Sequence, residues 1–325
     1  MGGLIAATPD QTSAILGAMR DVATASGRFP LSAATVRSLR SAERHVLGGK
    51  GNVDPALLVP VKPETLAAAL ADAALAEMTL RCLSVSALVD GELSRPRIEA
   101  VLEYAERLGV RQDYVTELSK SVDGDLQWAL TDMSRQNVLS LWNEPWDECL
   151  DINDIFMPYR SPHGDPSLAA RYHALGESAE GTLGRAFSEI YRKNGYAYPG
   201  EERAVNVRFA TPHDATHVLS GYDTSPRGEI LVSTFTAGMH PVRPMEGHIL
   251  PVLYSWHLNI KINDLAGAAK GQLDPEAFWE AWARGARTTV DLFAPSWDFW
   301  SVVHEPVAEI RRQYGIPAPL AAGSR

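Results

Sequence analysis

The sequence predicts a mainly α-helical fold made of two helical domains, and three observations carry that expectation. Ile98, Val101, Leu102, Ala105 and Leu108 recur at the i, i+3, i+4, i+7 spacing of one helix face. The apolar segment 249–262 is longer than an ordinary strand. Strand-like alternation of apolar and polar residues is scarce throughout the first half.

With 325 residues, 45% hydrophobic and 22% charged, the chain can fill two domains and bury a sizeable core. Residues 1–60 read as a helical extension, 61–160 as a first helical domain and 166–318 as a second. Pro158–Ser167 holds three prolines and a glycine, the composition of a linker.

Each element has a local reason. Residues 33–46 read as helix, broken by the glycines at 48, 49 and 51. Pro63 suits the first turn of a helix through Leu66 and Leu70, since its missing N–H has no partner there in any case. The alanine-rich run to Val89 reads as buried helix with Leu75, Met78 and Cys82 near one face. Asp90-Gly91-Glu92 interrupts it, Ser94 is the expected N-cap of the next helix, and Gly109 ends that helix. In the second half, helices are expected at 182–193, stopped by Asn194-Gly195, and at 230–239 with Glu229 at the start. Helix is also expected across 249–262 despite Pro251, and from Pro275 through Phe278, Trp279 and Trp282. Trp297, Phe299 and Trp300 precede a last helix that closes at Gly315.

The net charge of −10 argues against a nucleic-acid binder, which needs a basic face, and against strong attraction to anionic lipid. Membrane contact would have to be local and hydrophobic. Cys82 and Cys149 are far apart and lack metal or redox spacing, so a reducing cytosol is the default. The first ten residues lack the basic start and apolar core of a signal peptide, and no run approaches the roughly 20 apolar residues of a span.

Chemistry concentrates at His213-Asp214-Ala-Thr-His217, with Glu229 beyond a turn. On a helix, His217 lies about 40° around the axis from His213, and Asp214 about 100° from it. Two imidazoles and two carboxylates suit zinc, and also iron(II) or manganese. The competing reading is that these are ordinary hydrogen-bonded histidines. A zinc peptidase would carry Glu where Asp214 stands. A phosphohydrolase built on a His-Asp doublet would have to recruit His173 and Asp264. The spacing assigns no catalytic residue. His257 reads as a hydrogen-bonded core or supporting histidine, and His240, His248 and His304 have no spacing argument.

The stretch from Pro212 to Ile230 closely resembles the signature of the Coq-four family of coenzyme Q (ubiquinone) biosynthesis proteins: His-Asp-x-x-His, eleven residues (218 to 228), then Glu. Tyr172–Phe187 and Pro306–Ile316 resemble two further blocks of the same family. The resemblance covers about residues 166–318. It implies an all-helical domain whose His213, Asp214, His217 and Glu229 hold the metal. It also implies a role in modifying the coenzyme Q head group, by oxidative decarboxylation at C1 of a polyprenylated hydroxybenzoate, or in organising the biosynthetic complex. The implied partners are a prenylated aromatic or isoprenoid lipid and other quinone-biosynthesis enzymes, with a homo-oligomer and peripheral contact on the inner face of the membrane expected. The apolar segments around 250–260 and the tryptophan-rich end would then line a groove for the tail, where the plain alternative is core. A non-catalytic lipid-binding scaffold, or a tailoring enzyme for another aromatic metabolite, uses the same residues.

Leu83–Ile98, with Tyr104–Gly109 after it, resembles the all-helical tellurite-resistance TerB family. That resemblance makes Asp90 and Glu92 candidate cation ligands, whereas Asp-Gly chemistry alone makes them turn residues. Signalling through this half is the third functional option.

Overall fold

A computed structural model describes residues 6–142, 151–159, 164–263 and 265–318. Helices account for the regular structure, and the described residues contain no strand, only the isolated bridges Thr182–Pro306 and Leu258–Lys270. The mainly α expectation holds.

The first half contains α1 (Pro9–Ala23), α2 (Ala33–His45), α3 (Pro63–Ala69), α4 (Ala73–Leu88), α5 (Arg95–Leu108), α6 (Asp113–Val122) and α7 (Leu126–Leu141). Short polar residues open three of them by accepting amide hydrogens at the first turn: Thr8 in a full capping box, Ser32, and Asp72. Leu70 is the C-cap of α3, and Asp72 starts α4 anew. Ser94 stands at the N-cap of α5 without a side-chain capping bond, and Gly109 ends it at φ 68°, a left-handed conformation that costs glycine nothing.

The second half contains α8 (Ile152–Phe156), α9 (Pro166–His173), α10 (Leu183–Asn194), α11 (Val207–Ser220) and α12 (Pro226–Met239). After them come a π-helical turn (Pro244–Ile249), α13 (Leu250–Trp256), α14 (Pro275–Arg287), α15 (Phe299–Val302) and α16 (Val307–Gln313). The expected helix over 249–262 is corrected at both ends. It is preceded by the π-helical turn, and it stops at Trp256. Asn259 turns left-handed at φ 61°, and the chain folds back so that Leu258 bridges Lys270. The linker segment expected at 158–167 includes residues 160–163, which lie outside the described residues, and its last two residues begin α9. Cys149 and Asp264 also lie outside them, while Cys82 is a buried free thiol.

Two main cores form. One combines Ile15, Met19, Leu83, Tyr104 and Leu118 of the first half with Ile230, Leu253, Phe278, Trp279 and Trp282 of the second. The other joins Tyr172, Phe187, Tyr191, Leu219, Phe235, Phe299 and Ile310. Helix α12 feeds both. It crosses α14 at backbone distance: a Cβ on Gly285 would lie 2.0 Å from the Phe235 carbonyl oxygen, and one on Gly238 would lie 2.3 Å from that of Trp282. Only glycine permits such an approach. Helix α14 in turn packs on α2, where the Trp279 indole N–H donates to Ser38 and Glu276 meets Arg44 and His45 at 3.0 and 2.9 Å.

Asp90 is held by Arg97 at 2.5 Å and by the Ser32 hydroxyl, while Glu92 is exposed. These partners make the Asp-Gly turn a docking point. His257 spans it, with Nδ1 accepting from the Leu273 amide and Nε2 donating to the Val89 carbonyl. His257 is therefore the hydrogen-bonded core histidine that its place in the sequence suggested.

Candidate metal centre

Helix α11 carries three of the four expected ligands. Asn206 caps its start. Pro212 sits inside it and removes one i→i−4 bond. The last carbonyls are taken up by two guanidinium groups, a buried Arg284 and a half-buried Arg311. Arg311 donates to Val218 and Leu219, and Arg284 donates to Ser220. Gly221 then turns the chain left-handed at φ 83°. Ser225 caps α12 with Pro226 in its first turn, which puts Glu229 at the start of that helix as expected.

The structure brings the four side chains together. His213 and His217 have Nε2 atoms 3.2 Å apart. The Glu229 carboxylate bridges them, Oε2 lying 3.3 Å from His213 Nε2 and Oε1 3.3 Å from His217 Nε2. Donor atoms of His213, Asp214 and His217 all lie within 4.8 Å of one another. Two donors held tetrahedrally at zinc distances of about 2.0–2.1 Å sit about 3.3 Å apart. The spacing among the two imidazoles and Glu229 matches that value, and among the described residues His213, Asp214 and His217 are the one His/Cys/Asp/Glu group of three or more at ligand spacing.

Surrounding contacts orient the donors. His217 Nδ1–H donates to the Tyr222 carbonyl at 3.1 Å, which leaves Nε2 with the lone pair a cation needs. The Tyr191 hydroxyl donates to Asp214 Oδ2 at 2.6 Å. Phe209 stacks on His213 with centroids 4.9 Å apart. Burial pushes the Asp214 carboxyl up, against the pull of both histidines and Tyr191. Burial acts to raise Glu229 too, but hydrogen bonds and charge from His213 and His217 hold it well below the usual carboxylate range. His217 is raised because Glu229 and Asp214 outweigh its burial.

The cluster opens onto a cavity of about 530 Å³, within the range of small-molecule sites. His213, Asp214, Glu229 and Tyr191 line it, with Phe209, Phe293, Val252, Trp256 and Ile262 supplying apolar wall. Segment 230–260 contributes Ser233, Thr236, Gly247, His248, Pro251, Val252 and Trp256. The other groups considered from sequence are elsewhere: His173 pairs with Glu201 at 2.8 Å, and His240 with Asp291 at 2.8 Å. Tyr191 and His248 were not singled out by sequence, since neither has a fixed spacing to the motif.

No family model matches the chain, and no curated protein matches it. Among solved structures, one from Nostoc punctiforme PCC 73102, provisionally described as a ubiquinone biosynthesis protein, is similar at 18% identity. The match covers 76% of this chain and 97% of that one, with a TM-score of 0.31. A superposition that loose carries no argument about function.

Proposed function

We propose that this protein holds one divalent cation at His213, Asp214, His217 and Glu229 and acts on the ring of a polyprenylated hydroxybenzoate in ubiquinone biosynthesis, as the resemblance to the Coq-four family implies. The observation that carries the reading is the convergence of two imidazoles and two carboxylates, at 3.2–3.3 Å for three of them, on the wall of a largely apolar cavity. Zinc is the expected ion, with iron or manganese as alternatives. A bound cation supplies a Lewis acid that holds the ring carboxylate or phenolate and stabilises charge as carbon dioxide leaves.

The chain's own residues do the rest. Tyr222 fixes the His217 ring through Nδ1, and Tyr191 fixes Asp214. No Lys or Arg is among the described residues lining the cavity. At the roughly 30 Å³ that one water-sized group occupies, 530 Å³ holds about eighteen non-hydrogen groups. That accommodates the ring, its carboxyl and hydroxyl, and one to two isoprene units. The rest of the tail continues outside, against a bilayer surface, a second subunit or a neighbouring quinone enzyme. Among the described residues, no helix is long and apolar enough to cross a membrane.

The test is turnover of a polyprenyl-4-hydroxybenzoate under air by protein loaded with zinc, iron(II) or manganese. The expected product has lost the carboxyl group as carbon dioxide and carries a hydroxyl at that ring carbon; water supplies the hydroxyl, and dioxygen takes the two electrons and leaves as hydrogen peroxide. Binding without turnover under every metal would replace the enzyme by the lipid-binding scaffold. Failure to bind the lipid would overturn both.

A further inference from the structure

Ser233 stands apart from the other hydroxyl residues inside the helices. Such residues commonly turn their oxygen back onto the carbonyl one turn earlier. Ser84, Ser86, Ser121, Thr216 and Thr234 do so here, each donating to the carbonyl four residues before it. Ser233 does not. It lies in the middle of α12 and is 7% exposed, and among the described residues no group hydrogen-bonds its hydroxyl.

The geometry of α12 fixes which way that side chain faces. At about 100° per residue, Ser233 lies about 40° around the axis from Glu229 and Thr236 about 20° to the other side, while Gly238 lies about 180° away. Gly238 meets α14 at main-chain distance, and Leu231, on the same side, packs on Ala277 and Ala281. Glu229, Ser233 and Thr236 all line the cavity. One face of α12 therefore packs on α14, and the opposite face borders the cavity. The Thr236 hydroxyl is closed off without a partner, whereas that of Ser233 is open to the cavity.

Alanine would suit a helix interior better than serine, so the fold itself has no use for this hydroxyl. What it faces is a ligand-sized space beside the candidate cation ligands. Ser233 is one helical turn, about 5.4 Å, along α12 from Glu229. A benzene ring with a carboxyl group at one end and an oxygen at the other has a comparable reach. A serine hydroxyl can both donate and accept, which suits a phenol.

We propose that Ser233 is a specificity-determining residue, whose hydroxyl pairs with a ring hydroxyl lying across the aromatic ring from the carboxylate held at the cation. The inference rests on the reading of the cavity as a metal-dependent hydroxybenzoate site and adds the residue that recognises the phenol.

The test compares 4-hydroxybenzoate with benzoate, two probes that differ only in that hydroxyl. Binding is measured by titration NMR to the intact zinc-loaded protein and to its Ser233→Ala variant. Wild type is expected to favour 4-hydroxybenzoate about tenfold, the scale of one hydrogen bond. Ser233→Ala should abolish that preference while leaving benzoate affinity and zinc content unchanged, a split that a merely structural role would not produce. Equal binding of the two probes to wild type, or a preference that survives in Ser233→Ala, overturns the assignment of Ser233 and leaves the reading of the cavity standing. Binding of neither probe to wild type removes the hydroxybenzoate from the cavity, and the role of Ser233 with it.

Discussion

Replacing Glu117 with glutamine is expected to stabilise the protein at neutral pH and to leave it nearly unchanged in acid. Glu117 lies on α6 with no solvent exposure, and neither of its carboxyl oxygens has a donor in reach. Burial pushes its pKa from 4.5 to about 10, helped by the Asp132 and Glu246 carboxylates. Its close polar neighbour is Asp132, itself a carboxylate paired with Arg135. Glu117 can bond to it only by carrying the proton. The folded-state pKa is raised, so the contribution to stability is full below about 4.5 and is lost as pH rises toward about 10. In that window the folded chain binds the extra proton, and each pH unit removes about 1.4 kcal/mol. At pH 7 the loss is about 3 kcal/mol, of which roughly 2 to 3 kcal/mol accrues between pH 5 and 7. Glutamine is neutral throughout, and its amide can donate to Asp132. Urea denaturation of both proteins at pH 5, 6, 7 and 8, with chelator present, reads the difference directly. The Glu117→Gln advantage should grow with pH by that amount. Parallel curves would mean that Glu117 ionises in the folded chain as it does in water, and the argument from burial would be refuted.

Glu229→Gln should lower retained cation at least tenfold by elemental analysis while leaving affinity for a prenyl chain intact; loss of both together would mean that the ion holds the fold. Tyr191→Phe removes the bond to Asp214 Oδ2 and should weaken cation affinity about tenfold in chelator competition. An unchanged affinity would show that Asp214 needs no positioning. Gly285→Ala places a methyl group 2.0 Å from the Phe235 carbonyl oxygen. It should cost about 2 kcal/mol even after the ~1 kcal/mol gained in helix propensity, seen as a lower denaturation midpoint, whereas a more stable protein would show the crossing to be loose.

The parts legible in the sequence are those set by neighbours along the chain. Helix α5 announces itself through five apolar positions and Gly109, and α14 through Pro275, whereas α12, expected from Ile230, begins four residues earlier at Pro226. The candidate cluster was readable because His213, Asp214 and His217 share one helix and Glu229 opens the next. What lay hidden depends on contacts across long separations. Tyr191 reaches Asp214 from α10, and His248 joins the same cavity only because a π-helical turn presents it there. The segment 257–262 has the apolar composition of a helix, yet Asn259 and the bridge to Lys270 turn it back. Periodicity does not register a reversal imposed by tertiary packing. Nor does it show a core that joins Met19 to Trp282.

The glycine crossing of α12 and α14 bears on how the candidate site would respond to a cation placed in it. Side-chain contacts between helices blur with temperature as rotamers exchange, but at Gly238 and Gly285 main chain meets main chain. The register of α12 is therefore set without rotamers, and Glu229 stands three residues into that helix, opposite a helix whose last carbonyls are held by two guanidinium groups. Both rails that carry the donors are fixed from behind. A site of this kind has little conformational entropy left to lose when it is filled. Discrimination between ions would then fall on donor chemistry and bond length, since the framework has little freedom to adjust to the wrong size.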